Sequence, residues 1–175
     1  KKKHKINITG IPILSYNSSY GTIVGVKGMG FFTMNKGDTI SPSSQVGLGG
    51  GYTANHSWFG VGFAQLYFKE DRWRVTAALG LSDINFQYFE AANEGSDGDF
   101  VDYGSVTRFA FFKVMRQVVP HFYAGGLVKL QHSDTDFKVA SDSTEVTNAN
   151  GLGVSLLYDT RDNGYYPVKG WKSSI

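Results

Sequence analysis

Trp73-Arg74-Val75-Thr76-Ala77-Ala78-Leu79-Gly80-Leu81-Ser82 decides the fold. Val75, Ala77, Leu79 and Leu81 occupy every second position, with Arg74, Thr76, Ala78, Gly80 and Ser82 between them. A two-residue period places one set on each face of a β-strand. The same alternation recurs on both sides. From Trp58 onward, Phe59, Val61, Phe63 and Tyr67 share one face, opposite Gly60, Gly62 and Ala64. Further on, Leu152, Val154, Leu156 and Tyr158 oppose Gly153, Ser155 and Asp159. One face is bulky and apolar; the other is small, polar or charged.

Eight segments of this character are expected: Asn7–Tyr16, Thr22–Met34, Gln45–Ala54, Ser57–Lys69, Trp73–Phe89, Val101–Arg116, His121–Lys138 and Asn150–Asp159. A ninth begins at Trp171–Ile175. The Val101–Arg116 segment carries Phe on both faces and is not oriented by its pattern. Strands of this length exceed the usual ~5–6 residues, whereas ~9–11 tilted residues cross a bilayer.

Composition agrees with an all-β chain. The 175 residues include 22 Gly, 13 Phe, 10 Tyr and 3 Trp, with no Cys. Glycine costs ~1 kcal/mol relative to alanine inside a helix, so this abundance argues against a helical bundle. Without cysteine there is no disulfide framework and no thiol chemistry. No apolar run approaches the ~18 residues of a transmembrane helix. Net charge is +2, and the one basic cluster, Lys1-Lys2-Lys3-His4-Lys5, reads as a solvated arm rather than a nucleic-acid site.

The alternation fits a soluble barrel with a bulky core, or a membrane barrel whose bulky face meets lipid. The repeated Gly and Ala of the second face favour the membrane barrel, because a water-facing exterior carries Lys, Glu, Asp and Thr instead. Aromatic residues near strand ends (Tyr16, Phe31, Phe32, Tyr52, Trp58, Tyr67, Trp73, Phe89, Tyr158) suit an interfacial girdle. Polar stretches at Gly95–Asp99 and Ser133–Asn150 are expected as long loops at one end. Glu70-Asp71 and Gln117–Pro120 are expected as short turns at the other, with Asn35–Ser44 an intermediate exception.

The segment after the last full strand is Asp159-Thr160-Arg161-Asp162-Asn163-Gly164-Tyr165-Tyr166-Pro167-Val168-Lys169-Gly170-Trp171. Asp and Asn side chains bond nearby backbone, Pro167 fixes φ and Gly170 permits the return. Arg161 lies between Asp159 and Asp162 and is suited to brace the turn. This segment resembles the D-T-R-D-N-x-x-x-P-x-x-G turn of the BamA/TamA bacterial surface antigen barrels. Pro12-Ile13-Leu14-Ser15-Tyr16 resembles that family's first strand, and Asp71-Arg72-Trp73-Arg74-Val75 its fifth-strand start. Asn85-Phe86-Gln87-Tyr88-Phe89 departs from the family by lacking a glycine.

The resemblance implies an antiparallel up-and-down transmembrane β-barrel of about eight strands in the bacterial outer membrane. Residues 1–175 are expected as a single barrel domain, the N-terminal part of the family's barrel, stopping short of its C-terminal strands. It also implies a role in outer-membrane protein assembly or translocation. Gly10, Pro12 and Tyr16 would then lie on the seam strand, and Arg74 and Lys129 in the lumen. Expected partners are lipopolysaccharide and phospholipid, client barrel proteins or accessory subunits, and a second copy of the chain; nucleic acid is not. The alternatives are a passive pore or structural barrel and a lipid-modifying outer-membrane enzyme.

No catalytic, cofactor-binding or metal residue is expected. His56-Ser57 and His132-Ser133-Asp134 invite a nucleophile–base reading, but neighbouring strand residues face opposite ways. Asp97/Asp99 and Asp134/Asp136 lack the further ligand spacing of a calcium loop.

Overall fold

The computed structural model describes residues 7–35, 37–90, 99–137 and 143–175. Lys1–Lys5 and Asp97 lie outside them. Among the described residues every regular element is a strand: β1 (Asn7–Asn17), β2 (Gly21–Phe32), β3 (Ser44–Thr53), β4 (Trp58–Phe68), β5 (Trp73–Glu90), β6 (Asp99–Val119), β7 (Phe122–Phe137), β8 (Ser143–Asn148), β9 (Gly151–Asp159) and β10 (Lys172–Ser174). Each pairs antiparallel with its chain neighbour in one up-and-down sheet of order β1-β2-β3-β4-β5-β6-β7-β9-β10. β1 and β10 are the two edges and do not pair with each other, so the sheet is not closed.

β8 pairs with β7 beside the upper part of that strand, from His132↔Asn148 to Phe137↔Ser143. β9 continues down the same edge of β7, from Lys129↔Gly151 to Phe122↔Tyr158. The Ala149 amide bonds the Gln131 carbonyl between them, so β8 and β9 are one strand with a short interruption. Much of the polar stretch expected as a loop over 133–150 is therefore strand. Polar side chains there pair across it: Thr107 with Ser133 and Ser105 with Thr135. Likewise β6 runs through Gln117 to Val119, past the expected boundary, with a bulge between those two residues. β5 and β6 reach 18 and 21 residues.

The sheet curves, because side chains meet across strands that are not neighbours. Arg74 on β5 bonds Asp159 on β9, although β6 and β7 lie between them. Three interstrand steps of ~4.8 Å separate those backbones along the sheet, so only a concave surface brings the two together. Register then assigns every strand, since directly opposed residues share a face. Arg74 lies with Tyr67 and Met115 on the concave face. Leu79 lies with Gly62, Leu48, Ala110 and Leu130 on the convex one.

Register corrects the reading of β4. Phe59, Val61, Phe63 and Tyr67 are concave, and Gly60, Gly62 and Ala64 convex, the reverse of β5 and β9. The bulky rings fit inside because glycine lies opposite them. Phe63 crosses Gly47, Phe59 crosses Gly51, and Phe109 of β6 crosses Gly80. β6 is oriented too: Phe109 and Phe111 are concave, Ala110 and Phe112 convex.

The molecule buries few apolar side chains. Met115, Tyr123 and Leu157 form a small cluster on the concave face. Large apolar residues instead lie exposed on the convex face, among them Val26 (61%), Leu48 (73%), Leu79 (62%) and Leu152 (85%).

Candidate functional site

The β2–β3, β4–β5, β6–β7 and β9–β10 connections share one end of the sheet, the lower end. The turn at 69–72 bends sharply: Lys69, Glu70 and Asp71 are consecutive non-glycine residues with φ of 53, 60 and 63°. This left-handed region is unfavourable for residues bearing Cβ, so the turn is held from outside. The Glu70 amide donates to Asp38 Oδ2 (2.9 Å) and the Asp71 amide to Ser41 Oγ (2.7 Å). Asp38 also accepts from the Ser41 amide and hydroxyl. Those Ser41 bonds, the backbone one foremost, hold the Asp38 carboxyl down at about 2.

Asp71 receives Arg74 through two bonds, Nε to Oδ1 (2.8 Å) and NH2 to Oδ2 (2.6 Å). Arg74 NH1 reaches Asp159 Oδ2 at 2.7 Å. The Tyr123 hydroxyl donates to Asp71 Oδ2, and its ring lies 4.0 Å beneath the Arg74 guanidinium carbon. Arg161 completes the arrangement with Nε to Asp159 Oδ1 (2.8 Å) and NH2 to Oδ2 (3.1 Å). Two arginines and two carboxylates thus neutralise one another in forked geometry.

The 160–171 loop is built as its sequence suggests. Asn163 Oδ1 accepts the Tyr165 and Tyr166 amides, and Asp162 Oδ1 those of Val168 and Lys169. Gly170 has φ +96°, and a Cβ there would strike the Thr160 carbonyl. Arg161 braces Asp159 and donates to the Gly164 carbonyl, but does not pair with Asp162. Pro167 is exposed within the loop.

The loop also reaches back across the sheet. The Tyr165 hydroxyl donates to the Ser43 carbonyl, and its ring meets Phe31 edge-on at 5.8 Å. Burial pushes the Tyr165 phenol up to about 12, keeping it a donor. The contacts form a closed circuit: Ser41 to Asp71, Arg74, Asp159, Arg161, the loop, Tyr165 and back to Ser43. The sequence reading singled out Arg74, Asp159 and Arg161 but missed Asp38, Ser41, Asp71 as partner, Tyr123 and Tyr165. The Asp71–Arg74 spacing and the aromatic at 165 were the available signals.

Lys129 lies on the concave face opposite Phe111 and Gly151. Gly10, Pro12 and Tyr16 lie on the convex face of β1, which pairs with β2 without a break from Asn7↔Phe31 to Asn17↔Gly21. Among the described residues no strand pairs with its other edge.

At the upper end, Ser57 Oγ donates to Asn55 Oδ1 and accepts the Asn85 amide, while His56 Nδ1 bonds the Tyr52 hydroxyl. Ser133 Oγ bonds Thr107 on the concave face, while His132 contacts Asn148 and Asp134. In neither pair does the histidine reach its neighbouring serine. Asp136 accepts from Thr144. Comparison with known proteins adds nothing to this geometry: no protein family, curated protein or solved structure matches the chain.

Proposed function

We propose that this chain forms wall of a transmembrane β-barrel of the bacterial outer membrane, and that its free β1 edge serves the assembly or translocation of other outer-membrane proteins. The carrying observation is the convex face. Along β5 it reads Trp73, Val75, Ala77, Leu79, Leu81 and then Asp83. Neighbouring strands place Gly62, Ala64, Ala110, Phe112, Val128 and Leu130 beside it. Lys27, Gln45, Gln65, Arg74, Lys113 and Lys129 all fall on the concave face.

The belt has bilayer dimensions. Ten residues separate Trp73 from Asp83, or ~34 Å along an antiparallel strand. A tilt of ~40° reduces that to ~26 Å, against an apolar band of ~25 Å in such barrels. Its borders are interfacial in kind. Trp73 with Arg116 above its ring lies at the lower border; Trp58, Asp83 and Arg108 lie at the upper one. Exposure of so much contiguous apolar surface to water is not tolerated by ordinary soluble proteins.

Lipopolysaccharide and phospholipid acyl chains are the natural contacts of this belt. The assembly role draws on the unpaired β1 edge, which offers backbone donors and acceptors to an incoming strand, and on the resemblance of the 159–170 turn to BamA/TamA barrels. Client strands or accessory subunits are the corresponding partners. Folding the chain into vesicles of brominated lipid tests the belt: tryptophan at Leu48, in a background without other tryptophans, is quenched. Crosslinkers at Thr9 and Ile13 in cells test the edge, which captures nascent outer-membrane proteins if the role holds. Capture of nothing but lipid there contradicts it.

A further inference from the structure

The 160–171 loop has a braced root and a tip that reaches far from it. At the root the β9–β10 ladder continues downward. The Thr160 amide donates to the Trp171 carbonyl (2.9 Å), and the Asp162 amide to the Lys169 carbonyl (3.2 Å). Arg161 fixes the root to Asp159 by two bonds. From Asp162, three residues carry the chain to Tyr165, whose ring meets Phe31 at 5.8 Å on the lower end of β2. In the sheet, β9 is reached from β2 through β3, β4, β5, β6 and β7. Along the wall those steps amount to ~29 Å, whereas three residues span at most ~11 Å. The tip therefore meets the far wall across the mouth of the curved sheet. Its two sides differ accordingly: Arg161, Gly164 and Tyr165 are half-buried, while Asp162, Asn163 and Tyr166 to Gly170 are exposed. Among the described residues, one hydrogen bond joins the loop to the far wall, from the Tyr165 hydroxyl to the Ser43 carbonyl.

We propose that residues 160–171 form a lid that closes the lower mouth of the barrel to ions and small solutes. The braced root is its hinge and Tyr165 its latch. Charge-assisted bonds in forked geometry hold the hinge, whereas a neutral hydrogen bond and one edge-on ring contact hold the latch. The weaker end opens first. The inference rests on reading the sheet as barrel wall; the latch contacts themselves do not.

A disulfide across the latch tests it, since the chain has no cysteine of its own. A Cβ at position 164 would lie 4.0 Å from Pro42 Cβ, inside the ~3.5–4.5 Å that disulfides span. In the full-length protein in detergent, Pro42→Cys/Gly164→Cys therefore crosslinks on mild oxidation. In planar bilayers the oxidised pair stays shut, and dithiothreitol restores its openings. Tyr165→Ala raises the open fraction about fivefold or more, as loss of the latch bond implies. Adding the oxidised pair to that variant closes it again, which shows that it is folded. Failure to crosslink overturns the lid, as does equal conductance of wild type, Tyr165→Ala and the oxidised pair. Brominated-lipid quenching at residue 48 reports the wall separately. Its absence overturns the barrel reading and the lid with it; its presence with unchanged conductance overturns the lid alone.

Discussion

Arg74 NH1 and Asp159 Oδ2 lie 2.7 Å apart across the concave face, joining β5 to β9 over two intervening strands. Asp159 is simultaneously the anchor of the 160–171 loop through Arg161. Asp159→Asn leaves two arginines short of their counter-charge in a site where the Arg74 and Asp159 side chains are 15% and 6% exposed. Breaking a buried pair from one side costs ~3–5 kcal/mol, and the expected loss lies at about the lower figure. Urea unfolding in micelles measures it. Arg74→Lys recovers little, because lysine cannot bond Asp71 by two parallel hydrogen bonds and reach Asp159 as well.

Glycine tolerance should divide by what faces each position. A Cβ at Gly125 meets backbone, the Val114 carbonyl and Met115 Cα, and neither can rotate away. Gly125→Ala is expected to cost ~1–3 kcal/mol, as overpacking does. At Gly151 a Cβ meets nothing within 4 Å. Gly151→Ala should leave unfolding unchanged within ~0.5 kcal/mol. Equal effects at the two sites would contradict the assigned register.

Gly170→Ala strains the left-handed residue that returns the chain to β10. Limited proteolysis at Lys169 should accelerate severalfold, with Tyr165→Phe producing a smaller increase by removing the bond to Ser43. The strand core should resist digestion in both variants.

The lower end should loosen in acid. Asp38 titrates at about 2 in the fold against an ordinary value of 3.8. Its folded pKa is depressed, so its contribution is complete above the unfolded value and is lost as pH falls through the folded one. Amide exchange at Ser41 and Glu70, corrected for intrinsic rates, should therefore speed up relative to the strands between about pH 4 and 2. Asp38→Asn removes that dependence.

Much of the sheet was legible in the sequence because alternation is local. β5 and β9 present the faces their patterns imply. Alternation separates two faces without saying which is convex, and β4 shows the consequence: Phe63 belongs inside because Gly47, sixteen residues earlier, makes space for its ring. The polar 133–150 stretch reads as a loop because Ser, Thr and Asp rarely extend strands, yet cross-strand hydroxyl pairs accompany the strand at Ser133 and Thr135. The 159–170 turn was legible as a motif through its Asp, Asn and Gly roles. Its attachment to Arg74 and Ser43 was not, since those contacts join residues 85 and 122 positions apart.

The absence of cysteine allows the most direct test of the membrane-barrel account. Single cysteines replace Leu48, Leu79 and Leu130 on the convex face, or Lys129 and Thr76 on the concave one, and the protein is inserted into sealed outer-membrane vesicles. A water-soluble maleimide should label the concave positions and leave the convex ones unmodified until detergent is added. Rapid labelling at Leu79 before detergent, with residue 129 protected, would contradict the account.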